Sequence, residues 1–475
     1  MSFDFRKWIE AVDERGEIKK LAGADWDLEI GVLTELFAER KGPALLFDEI
    51  SGYPKGHRVL SNALVTDRRF AFTLGVDEHA APLDLVRQLK NKLRAIKPMP
   101  LTEVKSGPVL ENVAEGRDVD LFRFPSPKWH EHDGGRYIGT GDLVIVRDPE
   151  TGAINAAPYR VQVHEKNLAG LYMAPGNQGR AICQKFWSKG QACPIAVVAG
   201  GHPLIWAAGS MKLPAGSSEL EMAGALAGQS LKVVKGAYTG LPIPAEAEIV
   251  LEGECPPVAA HSHPEAPFGE FTGYYTWSDE RGPVIEVKRI TWRNDPIILG
   301  APPMRPPTGE RLRDYLQTAQ LWKRMEEREM PGLKAVWILP AGVSGMLTVI
   351  AIDQQYENHA KDVANAAIQV GGLGRFIVVV DSDIDPTNEQ EVLWALATRC
   401  EPQDAVEIVR NCRSTILDPL IAPEKKDLAG QPNSSRAVLV ACRPYSWRER
   451  FPTVNRFGDE MRRAVERKWA ADLPK

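Results

Sequence analysis

Leu143-Val-Ile-Val-Arg-Asp-Pro-Glu-Thr-Gly-Ala-Ile-Asn-Ala-Ala-Pro-Tyr-Arg160 sets the character of the middle of this chain. Leu143–Val146 is a short β-rich run, Asp148-Pro-Glu-Thr-Gly152 has the composition of a hairpin turn, and Ile154 opens a second run. Similar runs recur at Ile195–Val198, Leu231–Val234, Ala247–Leu251 and Val284–Ile290, separated by Gly/Pro-rich turns. Two helix-like pieces interrupt them, Gly179–Lys189 and Ser218–Ala227, the second with Ser at its start and Glu in its first turn. Short strands punctuated in this way predict an antiparallel barrel or sandwich across residues 109–308. A cofactor pocket is expected at its mouth or at a domain seam.

Working outward, residues 1–108 alternate helix and strand signals: helical spacing in Phe5–Arg15 and Asp27–Arg40, and a strand-like Ala44–Phe47. Pro98, Pro100 and Pro108 then mark an extended connector. Residues 309–455 return to an α/β pattern. A charged helix around Arg311–Arg328 precedes strands Ala335–Leu339 and Leu347–Ile352, helix His359–Val370, strand Phe376–Val380 and helix Glu389–Thr398. Residues 456–475 hold an amphipathic helix, Gly458–Ala471, which either docks on a neighbouring subunit or folds back on its own domain. The fold class expected is therefore mixed α/β, with a central antiparallel barrel or sandwich between two α/β domains.

With 475 residues, two or three domains are expected. A net charge of -5, from 58 basic and 63 acidic residues, provides no basic face for nucleic acid. No apolar run reaches the roughly 18–20 residues needed to cross a bilayer. Met1-Ser-Phe-Asp-Phe-Arg6 lacks the pattern of a secretory signal, so a cytoplasmic address is expected. Cys183, Cys193, Cys255, Cys400, Cys412 and Cys442 form no C-x-x-C pair and read as reduced, structural thiols without zinc.

Three stretches carry chemistry. Asn155 and Arg160 lie five apart, and they converge if the chain kinks at Pro158. Gly209-Ser-Met-Lys-Leu-Pro-Ala-Gly-Ser-Ser-Glu219 leads into a helix. His263-Pro-Glu-Ala-Pro-Phe-Gly-Glu-Phe-Thr-Gly273 is broken by Pro264, Pro267 and Gly269, so it folds as a loop that can turn Glu265 and Glu270 towards one place. Two carboxylates beside an arginine can divide acid and base roles, one held ionised and the other raised into proton-donating range. Taken alone, two glutamates in such a loop are more often solvated surface residues.

Together, Asn155…Arg160, Ser210-Met211…Glu219, Pro264-Glu-Ala-Pro-Phe-Gly-Glu270…Gly273-Tyr, Gln355-Tyr356…His359-Ala-Lys361 and Val392-Leu-Trp-Ala-Leu-Ala-Thr-Arg399 resemble the UbiD decarboxylase family, in order and over most of the chain. The resemblance implies an N-terminal α/β domain, a central split β-barrel of flavin-reductase type and a C-terminal α/β domain. It implies prenylated FMN, supplied by a partner FMN prenyltransferase, as a covalent electron sink for reversible decarboxylation of an aromatic, heteroaromatic or α,β-unsaturated carboxylic acid. It also implies a divalent metal, usually manganese, and a monovalent cation, usually potassium, at the flavin phosphate.

By the same resemblance, Asn155, Gln178 and Glu219 match the metal ligands, and Gln178 stands where the family commonly has histidine. Glutamine is a harder, weaker ligand than imidazole, which leaves the identity of the metal open. Ala156, Tyr159, Arg160, Ser210 and Met211 match cofactor-binding positions, with main-chain carbonyls near Ala208 and Met211 at the monovalent cation. Arg160, Glu265 and Glu270 match a catalytic Glu-Arg-Glu network. Arg160 orients the carboxylate, Glu270 passes the proton, and Glu265 holds Arg160 and tunes Glu270. Asn177, Phe271 and Tyr274 are expected at the substrate pocket. Homodimers or homohexamers are implied.

Two other readings remain open at this point: an ordinary FMN oxidoreductase on the same barrel, and a non-catalytic flavin-binding subunit of a carboxylase complex. Gly371-Gly-Leu-Gly374 follows a helix and reads as a cap, not a dinucleotide fingerprint. Asp381, Asp383 and Asp385 are expected to cap the helix near Glu389 and not to bind calcium. His164 reads as a strand residue, and His261 and His263 as packing or substrate contacts. Trp187, Trp206 and Trp277 read as core or pocket wall.

Overall fold

Asp4 accepts the Arg6 amide at 2.9 Å and so begins helix Phe5–Asp13, whose Phe5, Trp8, Ile9 and Val12 recur at helical spacing and are buried. The computed structural model describes residues 3–214, 216–276, 281–342, 345–371, 374–425 and 432–473. Helix Glu29–Glu39 follows, and then Asp67–Leu74 and Pro82–Ala95, which extend the sequence expectation. They pack around a four-stranded sheet in the order Ile18–Ala22, Ala44–Asp48, Arg58–Ser61, Ile297–Gly300. The fourth strand comes from far downstream and pairs in parallel with Arg58–Ser61. The N-terminal sheet is thereby stitched to the end of the central part of the chain.

The largest sheet orders its principal strands Arg136–Gly139, Arg160–Glu165, Leu168–Tyr172, Arg281–Trp292, Ile249–Cys255, Cys193–Val198, Leu143–Arg147, Ile154–Ala157. Each neighbouring pair is antiparallel. Ile154–Ala157 is terminal in this order, while Arg160–Glu165, next in the chain, lies beside the other end. Three Cα steps of about 3.8 Å limit their separation to about 11 Å. The sheet therefore curls into a half-barrel whose two edges are joined by Pro158 and Tyr159, at the kink the sequence predicts.

Both faces of this sheet are buried. Leu143, Ile145, Ala196 and Val198 enter one apolar cluster, whereas Val144, Val146, Ile195 and Val197 enter the other. Alternation is thus hidden in the sequence, because successive side chains meet apolar partners on either side. The first cluster continues through Phe5 and Trp8 into Trp337 and Val379, so one core spans N-terminal, central and C-terminal elements.

The C-terminal sheet runs Leu333–Ile338, Leu347–Ile352, Phe376–Asp381, Asn433–Ala441, Val406–Arg413. Helices Gln317–Glu326, His359–Val370 and Glu389–Arg399 accompany it. Gly371 ends the second of these at φ 100°, as a cap should, while Gly372 and Leu373 lie outside the described residues, as does Trp277. The expected aspartate cap is corrected. Asn388 caps Glu389–Arg399 by accepting the Gln390 and Glu391 amides, and Asp381 and Asp383 instead accept Arg399. Arg399 in the last turn makes three charge-assisted bonds to the two aspartates, which a backbone amide cannot match. Helix Asp459–Lys468 buries no residue, so it does not fold back on its own chain.

Candidate active site

Arg160 opens its strand immediately after the Pro158-Tyr159 link, and its guanidinium reaches both loop carboxylates. Nη1 donates to Glu270 Oε1 at 2.6 Å, and Nη2 donates to Glu265 Oε1. Arg160 and Glu270 are buried, and Glu265 is partly so. Burial alone would lower the arginine, but the two carboxylates outweigh it and raise it above its ordinary value. The guanidinium stays charged, and one arm of its fork holds each carboxylate.

The loop is shaped as the sequence requires. Glu265 follows strand Ser262–Pro264, and Glu270 follows the two-residue strand Phe268–Gly269, which pairs with Tyr275–Thr276. The Glu270 amide donates to the Tyr274 carbonyl at 3.0 Å and the Gly273 amide to the Glu270 carbonyl at 2.9 Å, closing a tight turn. Gly273 sits at φ 80°, a conformation that a side chain disfavours. Phe271 is half-buried in this turn, and the Tyr274 ring is exposed.

Tyr172 and Phe268, neither singled out from the sequence, place their rings 4.2 and 4.7 Å from the Arg160 guanidinium carbon. Tyr137 packs on Phe268 at 4.5 Å between ring centres, and burial holds the hydroxyls of Tyr137 and Tyr172 well above the ordinary phenol value. Both hydroxyls therefore stay neutral beside the charged Arg160. Phe268 stands two residues before Glu270, a signal that does not separate pocket from core, and Tyr137 and Tyr172 lie too far from Arg160 in the chain to carry one.

On the other side of the link, Asn155 Nδ2 donates to Glu219 Oε1 at 3.2 Å and the Ala156 amide donates to Glu219 Oε2 at 2.9 Å. Asn155 Oδ1 is buried and accepts no hydrogen bond among the described residues. Burial raises Glu219 above its ordinary value despite these bonds. An orphaned amide oxygen beside a buried carboxylate suits a hard cation. Among the described residues no group of three His, Cys, Asp or Glu side chains could hold a metal, so amide oxygen has to complete such a site.

Gln178 begins helix Gln178–Trp187, with Asn177 at its N-cap and its own side chain exposed. The Tyr159 hydroxyl accepts the Gly179 amide at 3.2 Å, which fastens this helix start to the link, and burial pushes Tyr159 up to about 12. Ser210 caps helix Pro203–Gly209, its Oγ donating to the Trp206 carbonyl at 3.1 Å, and Met211 is buried beyond it. Next in the chain, Lys212 borders a small cavity of about 30 Å³ together with Arg324 and Arg436, and no described carboxylate lines it. Burial, with Arg324 and Arg413, holds Lys212 below the ordinary lysine value.

The remaining candidates make the following contacts. His164 is a strand residue whose ring stacks on His263 at 3.7 Å, and burial followed by that neighbour lowers it to about 4. His261 Nδ1 lies 2.7 Å from Glu286 Oε1. Trp206 is buried, and Trp187 Nε1 donates to the Cys255 carbonyl. All six cysteines are free thiols.

Comparison with known proteins places this arrangement. Residues 102–306 match the 3-octaprenyl-4-hydroxybenzoate carboxy-lyase Rift-related domain, 311–441 its C-terminal domain and 9–89 its N-terminal domain. The chain is 32% identical to pyrrole-2-carboxylic acid decarboxylase of Pseudomonas aeruginosa, over 99% of this chain and 98% of that protein. It superposes on the UbiD-class enzyme HmfF from Pelotomaculum thermopropionicum, solved with FMN, at TM-score 0.83 and 28% identity, covering 96% of this chain and 98% of that one. Vanillic acid decarboxylase of Sedimentibacter hydroxybenzoicus in its closed form gives TM-score 0.85 and 27% identity, with both chains fully covered.

Proposed function

The chain belongs to the UbiD carboxy-lyase family, and from that premise we propose that it removes CO2 reversibly from an aromatic, heteroaromatic or α,β-unsaturated carboxylic acid, using prenylated FMN. The observation that carries this reading is the single buried Arg160 holding Glu265 and Glu270 at once. An oxidoreductase would have no use for that set.

When bound, prenylated FMN would supply the electron sink for the pair left on carbon as CO2 departs. Asn155, Glu219 and Gln178 would hold a divalent metal, manganese by family resemblance, at the flavin phosphate. The orphaned Asn155 Oδ1 and the buried Glu219 support this assignment. Ala156, Tyr159, Ser210 and Met211 would line the cofactor, with potassium at the carbonyls near Ala208 and Met211.

Arg160 binds and orients the substrate carboxylate through the fork that now spans the two glutamates. Glu270 delivers a proton to the carbon that has lost CO2 and recovers it in the carboxylating direction. Glu265 keeps Arg160 aimed at the site. Asn177, Phe271 and Tyr274 contact the substrate ring, and the Tyr172 and Phe268 rings packed on Arg160 keep water from its guanidinium.

The working divisions on this reading are 1–108, 109–308, 309–455 and 456–475, in a cytoplasmic homodimer or homohexamer that receives its cofactor from an FMN prenyltransferase. Among the described residues no helix is long and apolar enough to cross a membrane. The test is protein co-expressed with the prenyltransferase, its absorption spectrum, and CO2 release from a panel of pyrrole, furan, phenolic and acrylic acids. Turnover with modified flavin is expected. Unmodified FMN without CO2 release would favour the oxidoreductase, and absence of flavin a non-catalytic subunit.

A further inference from the structure

His130 is set among acceptors. Its Nδ1 stands 3.1 and 3.0 Å from Asp133 Oδ1 and Oδ2, and its Nε2 stands 2.8 Å from the Pro303 carbonyl oxygen. The carbonyl has no proton to give. The Asp133 carboxylate is already accepting the His130 and Gly269 amides, each at 3.0 Å. A neutral imidazole carries one N–H, so in either tautomer one ring nitrogen would face an acceptor lone pair to lone pair. The doubly protonated ring satisfies both contacts.

The same residues hold the acid–base loop. Asp133 Oδ1 accepts the amide of Gly269, the residue before Glu270. The Gly134 amide and the Tyr137 hydroxyl donate to the Pro267 carbonyl at 2.8 and 3.3 Å. The His130 ring meets Phe268 edge-on at 5.7 Å, and Phe268 carries Arg160 on its face. A Cβ on Gly269 would lie 2.8 Å from His130 Nδ1, so glycine is what allows the ring this close. Pro303 belongs to the stretch whose Arg305 and Pro306 pack against Gly273, at the far end of the Glu270 turn.

We propose that His130 is held as an imidazolium bridging Asp133 and the Pro303 carbonyl, and that His130 and Asp133 are positioning residues that set Glu270 against Arg160. The proposal rests on the assigned role of Glu270 for its catalytic part, and on His130 geometry alone for its protonation part. The groups facing the ring agree in sign. Burial would lower its value, but Asp133, the Pro303 carbonyl and Glu35 from helix Glu29–Glu39 together raise it. Tyr275 meets the ring edge-on at 6.2 Å, with His132 behind it.

The experiment combines a side-chain titration with kinetics on the holoenzyme. In protein labelled with 15N-histidine, the His130 ring, assigned by its loss in His130→Gln, should show two protonated nitrogens at pH 7 and titrate above 6.5. A neutral ring at pH 7 overturns the imidazolium. His130→Gln and Asp133→Asn should lower kcat about 10- to 100-fold with flavin content and KM retained; the first should remove the alkaline limb that His130 contributes to the kcat–pH profile, and the second should move it to lower pH. They should also speed amide exchange in residues 265–274, a readout that needs no substrate. Wild-type exchange and an unchanged pH profile in both variants would overturn the positioning role. If wild-type protein decarboxylates no acid, the proposed function fails while titration and exchange still decide the clamp.

Discussion

Asn155 spends its amide group unevenly on Glu219: its Nδ2 donates to Oε1 at 3.2 Å, while its Oδ1, equally buried, is left with no described donor. That leftover oxygen and the raised carboxylate are most simply satisfied together by a cation. Glu219→Gln and Asn155→Ala should each weaken metal retention at least about tenfold, and flavin should leave with the metal. Elemental analysis and flavin absorbance per chain are the measurements, and dialysis of wild-type enzyme against a chelator should reproduce the loss. Full loading of metal in Glu219→Gln would remove Glu219 from the ligand set.

Glu270→Gln keeps the size of the side chain and an oxygen for the Arg160 contact, but it has no proton to pass. CO2 release, and exchange of deuterium into the product, should fall by about 10²–10⁴-fold, with the flavin still bound. Turnover like wild type would show that the proton comes from elsewhere.

Arg160→Lys retains charge and loses the fork. A lysine has no second arm with which to hold both Glu265 and Glu270, and two charge-assisted bonds reduce to one. The expected loss is about 1.5–3 kcal/mol in kcat/KM, roughly 10- to 150-fold, with a rise in KM because carboxylate binding suffers first. Steady-state kinetics on the best acid of the panel measures it.

Stability should fall on mild acidification through His202. This fully buried ring accepts the Leu204 amide on Nδ1 at 3.0 Å and packs edge-on against Phe3 and Trp8. Burial lowers it to about 3. Between about 6.5 and 3 the unfolded chain binds a proton that the folded chain refuses, so this contribution is complete above about 6.5 and is lost progressively as pH falls towards 3. The full effect is about 3–5 kcal/mol. Urea midpoints at pH 7.5 and 5 should differ more for wild type than for His202→Asn, whose side chain can still cap helix Pro203–Gly209.

Removing residues 458–475 should leave the thermal midpoint of the remaining chain unchanged, because helix Asp459–Lys468 buries nothing against it. Phe457, Met461, Val465 and Trp469 recur every four residues on one exposed stripe. If that stripe joins subunits, light scattering should find a smaller assembly after truncation. An unchanged mass would remove the helix from the assembly.

Much of this molecule could be read from residue order. Arg160, Glu265 and Glu270 were legible because Pro264, Pro267 and Gly269 exclude helix and force a loop, and the Pro158 kink was legible for the same steric reason. The return of Ile297–Gly300 to the N-terminal sheet was not, since a four-residue apolar run carries no mark of its partner. Asp381 and Asp383 looked like helix caps because local spacing cannot see Arg399, 18 and 16 residues later, folding back on them from the far end of the helix. His130 and Asp133 were silent for a similar reason. Their meaning depends on Gly269 and Pro303, which approach through the curl of the sheet.

On the proposed function, Pro158 and Tyr159 are the whole link between the strand that would anchor the cation and the strand that opens with the arginine clamp. Asn155 lies on one lip of the half-barrel and Arg160 at the other, while Glu219 opens a helix and the loop that carries both glutamates arrives separately. On that reading, mutations that reshape residues 264–274 can redirect the enzyme to new acids while the cofactor anchor is inherited untouched. The same economy makes the link intolerant: one inserted residue there would move anchor and clamp out of step without disturbing either. Divergence of substrate range in such a scaffold should accumulate in the loop and spare the link.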